Sequence, residues 1–555
     1  MSEVTTVEAR HPKGLYLLFA TEMWERFNFY GMRALLVLFL VNALRFSDAD
    51  SAKMYGGFLG LCYLTPILGG FISDRFLGNR LCIMLGGTIM GIGQLMLFLS
   101  ASLYDSSLDT SRLIMWIALG TLIMGNGLFK PNISSMVGQL YPKGDKRLDS
   151  AFTIFYMGIN LGAFLGMTIC ALAGDVKIDD VRVVTAFKWG FLAAAIAMFL
   201  SVIIFYIFKD KYLLSPEGVQ VGTKPSQSSG LPGDEATHAK FENQSILAAI
   251  GISIALFFFF NLVAGQNYIY SFIFSSGAAL ASLILMDKSL TKVEKDRIMT
   301  LYIIAFFVMF FWACFEQAGS SLTFVADYQT DTNIFGWDMP PSLVQNANSF
   351  FIIVLAPLFS ILWLWLAQRN REPISPVKQA MGLGLLSLGF LLMATRVNGM
   401  GLNEKMGVMW LVGMYFLHTV GELFLSPVGL SLVSKLAPMR FSSLLMGVWF
   451  LANAGGYALA GTLGALLPPT GDKFKKATEL NLDLQGILDG KVQATAEQLA
   501  VMKENNIPDV YPSFVGFEIH NLYDFFMVFI ALPGSAAIIL FLLSGRLKKM
   551  MHGIK

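Results

Sequence analysis

Long apolar stretches recur along this chain, and they constrain its fold more than any other feature. Each is at least about 18 residues long, enough for a helix to cross the hydrocarbon core of a bilayer. Only 14% of the 555 residues are charged, whereas soluble domains carry about 25%. We therefore predict an all-α polytopic membrane protein with fourteen spans, near residues 15–43, 54–74, 81–103, 113–137, 151–173, 187–208, 245–264, 268–286, 299–325, 343–367, 379–395, 406–436, 441–467 and 522–544.

The remaining composition argues against several other classes of protein. A formal net charge of +2 gives no indication of a nucleic-acid partner. The four cysteines lie inside apolar stretches without the spacing of metal ligands, so we expect small buried side chains and no disulfide, metal site or cofactor. The polar N-terminus runs into the first span without a small-residue cleavage site, so no removable signal peptide is expected.

Basic residues gather in alternate loops, which predicts the orientation of the chain in the membrane. The opposite loops carry acids such as Asp327, Asp331 and Asp338 and few bases. Both termini are therefore expected on the cytoplasmic side of the membrane. The bases expected on that side are Arg75, Arg80, Lys143, Lys146, Arg147, Lys209, Lys211, Arg369, Arg371, Lys378, Lys435, Arg440, Arg546, Lys548 and Lys549.

Two polar stretches divide the chain. Residues 215–244 follow six spans and are rich in serine, glycine and proline, as flexible linkers are. Residues 468–520 precede the last span and include a helix-like run, ATAEQLAVMKENN, and we expect them to form a small excursion on the outer side. The predicted organisation is an N-terminal six-helix bundle (1–212), a cytoplasmic linker with an inserted helix pair (213–298), and a C-terminal six-helix bundle (299–555).

The first span contains the sequence TEMWERFNFYGMR (21–33), which brings four charged residues into an apolar stretch. A charge at the bilayer centre costs roughly 2.5–3.5 kcal/mol on insertion scales, and such residues usually face a water-filled route. On a helical wheel, the charged residues and one tyrosine fall on one face: Glu22, Glu25, Arg26, Tyr30 and Arg33. This pattern favours the lining of a route over a set of ion pairs that only fixes helices together.

Three further spans each hold one isolated charge, on Lys130, Glu316 and Glu422. Together with the first span, these residues give four acids against three bases. Charges in a low dielectric need opposite partners, so one acid remains over. Burial without an opposite charge favours the protonated form of a carboxylic acid, which is what a proton carrier requires.

The loop GGFISDRFLGNR (69–80) lies at the end of the second span. It resembles the G-x-x-x-D-R-x-x-G-x-R signature of the major facilitator superfamily, here Gly70, Asp74, Arg75, Gly78 and Arg80. Transporters of that superfamily rock two six-helix halves around a site near the bilayer midplane. The resemblance therefore implies the major facilitator fold, with an inserted two-helix pair between the halves.

The charged stretch of the first span resembles the E-x-x-E-R-F-x-Y-Y-G signature of the proton-coupled oligopeptide transporter (POT) family. FYMGINLGAFLG (155–166) is similar to the family's fifth-span motif, F-Y-x-x-I-N-x-G, and GELFLSPVGLSLVSKLAP and MGVWFLANAGG resemble its tenth and eleventh spans. The inserted pair (245–286) is like that of bacterial members. Phe29 departs from the signature, which has tyrosine there, and the family pattern does not account for residues 468–520.

The resemblance implies a site for a di- or tripeptide, whose two ends carry opposite charges. The bases that match the family's carboxylate-binding residues are Arg26, Arg33 and Lys130. Glu422 would face the peptide ammonium, with Ser426 on the same helix face. Amides at Asn160 and Asn348 would hydrogen-bond the peptide backbone, with Asn346 as the alternative to Asn348. The aromatic residues expected to form side-chain pockets are Tyr30, Tyr63, Tyr156, Trp312, Phe315, Trp449 and Phe450.

The same resemblance implies a mechanism. The protein is expected to be a monomeric symporter that imports di- and tripeptides with protons across the bacterial cytoplasmic membrane by alternating access. Glu22, Glu25 and Glu316 would couple the transport of peptide to that of protons. Two gate pairs would join the halves, Arg33–Glu316 on the outer side and Lys130–Glu422 on the inner side.

Other functions need a different set of residues. A transporter of nitrate or another small anion is the alternative, because it would use the bases, but it has little use for an acid at Glu422. His418 lies one helical turn before Glu422, and we favour a structural histidine over a proton relay. The sequence shows no nucleophile–base arrangement, metal cluster or phosphate loop at span depth, so an enzyme is not expected.

Overall fold

Helices dominate the computed structural model, which describes residues 10–142, 145, 147–178, 181–224, 241–438 and 441–554. The helices before the polar linker are α1 (Lys13–Asn42), α2 (Asp48–Ile72), α3 (Asn79–Leu103), α4 (Leu108–Gln139), α5 (Leu148–Gly174) and α6 (Phe187–Tyr212). The inserted pair consists of α7 (Asn243–Phe258) and α8 (Tyr268–Leu285). The helices after the pair are α9 (Lys292–Phe315), α10 (Ser321–Tyr328), α11 (Ala347–Gln368), α12 (Ser375–Val397), α13 (Met409–Leu436), α14 (Ser442–Gly464), α15 (Gly471–Glu479), α16 (Leu484–Leu488), α17 (Ala496–Glu504) and α18 (Leu522–Met550).

Twelve helical segments among the described residues are long and apolar enough to cross a membrane. Two helices come in addition: α1, which carries the four charges of residues 21–33, and α13, whose apolar stretch is Met409–Leu425. Together they coincide with the fourteen predicted spans, so the all-α membrane fold is confirmed. Helices are the expected form because a bilayer offers no water to hydrogen-bond the backbone.

The ninth span, predicted near residues 299–325, begins earlier than predicted and is broken in the middle. It begins at Lys292 rather than near residue 299, because Thr291 and Glu294 form a reciprocal capping box at its N-terminus. A 3₁₀ turn at Glu316–Gly319 then separates α9 from α10. The Gln317 amide donates to the carbonyl oxygens of Ala313 (2.9 Å) and Ala460 (3.0 Å), which ties the break to α14.

The strands among the described residues are short, and three of their four pairs are antiparallel hairpins. They are β1 (Lys177–Ile178) with β2 (Val181–Arg182), β4 (Asn333–Ile334) with β5 (Trp337–Asp338), and β7 (Ser513–Phe514) with β8 (Phe517–Glu518). The fourth pair, β3 (Thr330–Asp331) with β6 (Met406–Gly407), is parallel. Phe335 and Val515 form the tips of the second and third hairpins, are almost fully exposed, and adopt positive φ angles of 52° and 50°. Asn or Gly is the usual residue at such a turn position.

The chain forms two compact units. The first unit comprises Met1–Leu35 with Thr65–Gly230, and the second comprises Leu36–Leu64 with Leu231–Lys555. Helices α1 and α2 therefore each pass from one unit to the other. The predicted linker (215–244) lies largely outside the described residues.

The beginning of that linker is fastened to the first unit by Arg80 of the 69–80 loop. The Arg80 guanidinium donates to the carbonyl oxygens of Val221 (2.6 Å) and Leu213 (2.7 Å) and pairs with Asp210 at 2.6 Å. Gly78 has a φ of 77°, and a Cβ there would lie 2.5 Å from the Thr223 carbonyl oxygen, so only glycine fits the turn. The described part of residues 213–224 is thus ordered by specific hydrogen bonds.

Residues 468–520 form a small folded excursion within the second unit. Its helices α15, α16 and α17 enclose an apolar core of their own, formed by Ala477, Leu482, Leu484, Ile487, Leu488, Met502 and Ile507. The predicted helix in ATAEQLAVMKENN is confirmed as α17 (Ala496–Glu504), which begins with a capping box from Thr495 and Gln498. The excursion therefore has enough buried apolar surface to hold a fixed shape.

Candidate functional site

The four charges of the first span lie in the part of α1 that belongs to the first unit. The Arg26 guanidinium nitrogen Nε lies 2.9 Å from Glu22 Oε1 and 2.5 Å from Glu25 Oε2. All three residues are buried, with at most 4% of their surface exposed. The structure thus brings together three of the four charges that the helical wheel places on one face, and two carboxylates share one base.

Aromatic rings cover the two arginines of this helix. The Arg33 guanidinium lies 5.0 Å from the centre of the Tyr30 ring, and the Arg26 guanidinium lies 5.8 Å from that of Phe29. A cation over an aromatic face is stabilised by the quadrupole of the ring. Phe29, which departs from the family signature, therefore keeps its contact with the arginine and lacks only a hydroxyl.

Lys130 on α4 completes the basic part of the first unit. It is half-buried, and its ammonium is near enough to Glu25 to interact with it electrostatically. Pro131 follows directly inside the helix and cannot donate a backbone hydrogen bond to Gly127, which loosens α4 at this point. The charged residues that the sequence analysis singled out in this unit are therefore two acids and three bases: Glu22, Glu25, Arg26, Arg33 and Lys130.

Helix α5 lies directly against this charged part of α1, and its glycines make the approach possible. A Cβ at Gly162 would lie 2.1 Å from the Met23 carbonyl oxygen, and a Cβ at Gly166 would lie 2.3 Å from that of Phe27. Spacing of small residues by four lets two helix backbones approach closely in a membrane. This is the physical role of the glycines in FYMGINLGAFLG.

The polar residues of α5 have different surroundings. Asn160 is buried and donates from Nδ2 to the Tyr156 carbonyl oxygen, 2.9 Å away in the preceding turn. Tyr156 is 41% exposed within the structure. Their predicted contacts with a peptide remain predictions.

In the second unit, Glu422 on α13 is held by an amide. Asn348 Nδ2 donates to Glu422 Oε2 and to Thr419 Oγ1, both at 3.0 Å. Asn348 rather than Asn346 is therefore the amide next to Glu422. Sequence reasoning missed Thr419, although its position one turn before Glu422 on the same helix was a usable signal. The Ser426 side chain lies outside the described residues.

His418 is fully enclosed in the second unit. Its ring lies 4.6 Å from that of Phe390, and a Cβ at Gly389 would be 2.5 Å from the imidazole. Only 1% of the residue is exposed. These contacts fit the structural role that we favour for it.

Glu316 occupies the first position of the 3₁₀ turn in the ninth span. It is 3% exposed, and the Tyr55 hydroxyl donates to its Oε2 at 3.3 Å. Tyr55 also packs against the turn itself, since a Cβ at Gly319 would lie 1.9 Å from its hydroxyl oxygen. Sequence reasoning did not find Tyr55, because nothing local in α2 indicates a partner that follows 261 positions later.

Aromatic residues of the second unit form a connected group. The Tyr457 ring lies 4.4 Å from that of Tyr63 and 5.8 Å from that of Trp312. Trp449 is 5% exposed and packs on Gly429, where a Cβ would be 2.2 Å from the indole. Tyr457 joins the predicted aromatic residues and was missed because tyrosines in apolar spans are common packing residues.

Both predicted gate pairs join a residue of the first unit to one of the second. Arg33 and Lys130 belong to the first unit, whereas Glu316 and Glu422 belong to the second. The pairs Arg33–Glu316 and Lys130–Glu422 stay predictions.

The fold and the buried charges define a polytopic membrane transporter of the major facilitator type. The PTR2 family model, described as the POT family, matches residues 80–479. A di-/tripeptide transporter of Lactococcus lactis subsp. cremoris is 34% identical over 490 residues, covering 85% of this chain and 91% of the relative. The peptide transporter YePEPT of Yersinia enterocolitica is 32% identical over 465 residues, with 82% and 88% covered.

Solved structures give the same result. The crystal structure of a peptide transporter POT in complex with sulfate superposes with a TM-score of 0.72 at 28% identity, covering 99% of this chain and 97% of that one. The chain belongs to the POT family. The resemblance that its motifs suggested is confirmed over most of its length.

Proposed function

We propose that this chain is a proton-coupled symporter that imports di- and tripeptides across the cytoplasmic membrane of a bacterium by alternating access. Relatives named as peptide transporters support the substrate class, and membership of the POT family supports the coupling to protons. The observation that carries the proposal is the division of buried charge. The first unit holds the bases, and the second unit holds a positioned acid, Glu422.

The bases suit the carboxylate end of a peptide. Arg26 and Arg33 offer planar forks that match a carboxylate, and Lys130 offers a compact point charge. The rings of Phe29 and Tyr30 lie next to the two guanidinium groups and limit the movement of both arginine side chains. Binding of a carboxylate then costs less side-chain entropy, because the arginines are already partly fixed. We assign the C-terminal end of the peptide to this group.

The acid suits the ammonium end. Glu422 is 9% exposed, and the Asn348 amide donates to one of its oxygens. A carboxylate has about four acceptor positions, so Glu422 can accept a hydrogen bond from an ammonium in addition to that from Asn348. A transporter of nitrate would gain nothing from this carboxylate, which would repel the anion. We assign backbone contacts to Asn160, a further ammonium contact to Ser426, and side-chain pockets to Tyr63, Tyr156, Trp312 and Trp449.

Protons are assigned to the glutamates of the first span. Arg26 is shared by Glu22 and Glu25 at 2.9 and 2.5 Å, so a proton on either carboxylate weakens one of these two ion pairs. The weaker hold on Arg26 favours its binding to the substrate carboxylate. Proton binding and peptide binding would therefore support each other, which is the requirement for symport.

The two gates complete the cycle. Protonation of Glu316 would weaken the pair Arg33–Glu316 and allow the outer side to open, and the pair Lys130–Glu422 would close the inner side. We assign the moving halves to residues 1–212 and 299–555, connected by 213–298, with both termini in the cytoplasm.

Uptake of labelled dialanine into proteoliposomes tests the proposal. An inward proton gradient should drive accumulation by the wild-type protein, and collapse of the gradient should abolish it. Glu22→Gln and Glu25→Gln should lose accumulation but keep the exchange of labelled for unlabelled peptide, because exchange needs no net proton movement. If only one of the two variants loses accumulation and keeps exchange, the glutamate that it replaces is the proton carrier.

Two further variants sharpen the result. Glu422→Gln should abolish uptake and exchange alike, because it removes an ammonium partner. Glu404→Gln, which changes a half-exposed carboxylate paired with Arg396, is the matched control and should transport normally. Nitrate uptake in the absence of dialanine uptake would establish the anion transporter instead.

A further inference from the structure

The excursion (residues 468–520) is a folded element to which the proposed transport cycle assigns no role. Its base is fixed to the loop between α12 and α13. A Cβ at Gly471 would lie 2.0 Å from the Leu402 carbonyl oxygen, and Gln329 Nε2 donates to the same carbonyl at 3.3 Å. The excursion is therefore attached to helices of the second unit on one side.

Its other side holds the loop between α1 and α2. The Lys473 ammonium lies 3.2 Å from Asp48 Oδ2, and the other oxygen of Asp48 accepts a hydrogen bond from the Tyr328 hydroxyl at 3.1 Å. Only 9% of Lys473 is exposed. The ion pair is therefore largely shielded from water. Hydration and salt, which weaken ion pairs at an exposed surface, affect it less.

A second contact holds the same loop. Asn506, two residues after the end of α17, donates from Nδ2 to the Arg45 carbonyl oxygen at 3.1 Å and lies 3.5 Å from that of Phe46. The Lys473 ammonium also lies 5.8 Å from the centre of the Tyr328 ring. Two separate parts of the excursion, α15 and the residues just after α17, thus bind residues 45–48.

This loop lies at a special place in the chain. It is part of the segment Leu36–Leu64, which belongs to the second unit, while the helices on both sides of it continue into the first unit at Leu35 and Thr65. Helices α1 and α2 run through the boundaries at Leu35 and Leu64. A movement of the first unit that carries them as rigid helices therefore pulls this segment away from the rest of the second unit. Alternating access requires such a movement.

We propose that the excursion is a latch that holds the α1–α2 loop to the C-terminal half, with Lys473–Asp48 as a further outer gate pair that must break in each transport cycle. The proposal rests on the proposed function for the cycle in which the latch acts. It assigns to Lys473 a gating role additional to that of the pair Arg33–Glu316. It also gives residues 468–520, which the family pattern does not explain, a task in transport.

A reversible cross-link tests the latch. In a background whose four cysteines are replaced by serine, Asp48→Cys and Lys473→Cys are bridged with a short bis-methanethiosulfonate reagent. Dialanine uptake should fall at least about tenfold on cross-linking and return after reduction with dithiothreitol. The matched control is Lys476→Cys with Asn505→Cys, since Lys476 Nζ contacts the Asn505 carbonyl oxygen at 3.2 Å inside the excursion. Its cross-link should leave uptake unchanged.

A second measurement needs no substrate. Ser51 is fully buried in the same segment, so a Ser51→Cys thiol should react slowly with a membrane-impermeant maleimide. Lys473→Met removes the positive charge and keeps an unbranched side chain. Asp48 then loses its ion-pair partner, and its carboxylate is left poorly compensated next to the excursion. Added to Ser51→Cys, this substitution should raise the labelling rate of the thiol on the order of tenfold, because the segment then separates more often from the second unit. Adding Lys491→Met, which changes an exposed lysine of the excursion, should not.

The outcomes separate the two proposals. Normal uptake by the cross-linked Asp48→Cys, Lys473→Cys protein would overturn the latch while leaving peptide transport intact. An unchanged labelling rate with Lys473→Met would overturn it as well. Absence of dialanine uptake in every variant, with the expected labelling, would refute the proposed substrate and leave the latch standing.

Discussion

Gly162 offers the sharpest test of how packing positions the charged residues. It lies on α5 where that helix meets α1, and the variant is Gly162→Ala. The added methyl carbon would lie 2.1 Å from the Met23 carbonyl oxygen and 2.9 Å from Arg26 Cβ. Both neighbours belong to α1, and the first is backbone, which cannot rotate away.

The size of the effect follows from these distances. Carbon–oxygen contacts in folded proteins are rarely closer than about 3.0 Å, so the two helices must separate by about 1 Å in a tightly packed interior. Overpacking of this kind costs about 1–3 kcal/mol. Arg26 moves with its backbone, and a misplacement of about 1 Å at a reacting group can cost on the order of 100-fold in rate. We expect transport to fall at least about tenfold.

The assay combines two readouts on the same purified protein. Thermal unfolding in detergent should show a lower Tm for Gly162→Ala, and proteoliposome uptake should show the loss of transport. Gly120→Ala is the control, because Gly120 lies on α4 with no atom within 4 Å of an added Cβ, so alanine should be neutral or slightly stabilising. If Gly162→Ala unfolded and transported like Gly120→Ala, the close approach of α1 and α5 would be refuted.

Four further substitutions have defined outcomes. Phe335→Asn and Val515→Asn should each raise the Tm, because a left-handed backbone costs most residues about 1–2 kcal/mol and Asn tolerates it; an unchanged Tm would mean that the turns relax freely. Thr495→Ala should remove the capping box of α17 and lower the stability of this helix by about 1 kcal/mol. Backbone amides of Ala496–Glu504 should then exchange hydrogen faster, whereas those of Lys292–Phe315, whose own capping box is intact, should not. Burial raises the pKa of Asp472, so its ionised form opposes folding once the pH exceeds about 4, the ordinary pKa of an aspartic acid. Asp472→Asn should therefore raise the Tm at pH 8 and lose this advantage at pH 3.5. The reverse trend would contradict the burial of this carboxyl group.

Much of the fold could be read from local sequence. The spans follow from the length of apolar stretches, because a bilayer requires each crossing to bury its own backbone hydrogen bonds in a helix. The shared face of Glu22, Glu25 and Arg26 follows from helical periodicity alone, and the structure places their side chains in contact. Helix α17 was predictable from composition, while its capping box fixes where it begins.

Contacts between distant segments could not be read in this way. Asn346 and Asn348 are equivalent in sequence terms, and only the packing of α11 against α13 places Asn348 on Glu422. Tyr55 reaches Glu316 because the ninth span breaks at a 3₁₀ turn that is tied to α14 by Gln317. No local pattern specifies such a partner, since the relevant neighbours are set by how helices cross.

The sequence by itself determined the class of protein, the number of spans and the chemical character of its buried charges, since these depend on hydropathy, periodicity and motif. The tertiary structure decided which charges meet, which glycines allow α5 to reach α1, and that Lys473 of the excursion binds Asp48 near the start of α2. The physical reason is range. Hydropathy and helical spacing act over a few turns of one helix, whereas an ion pair between residues 48 and 473 exists only after the helices between them have packed.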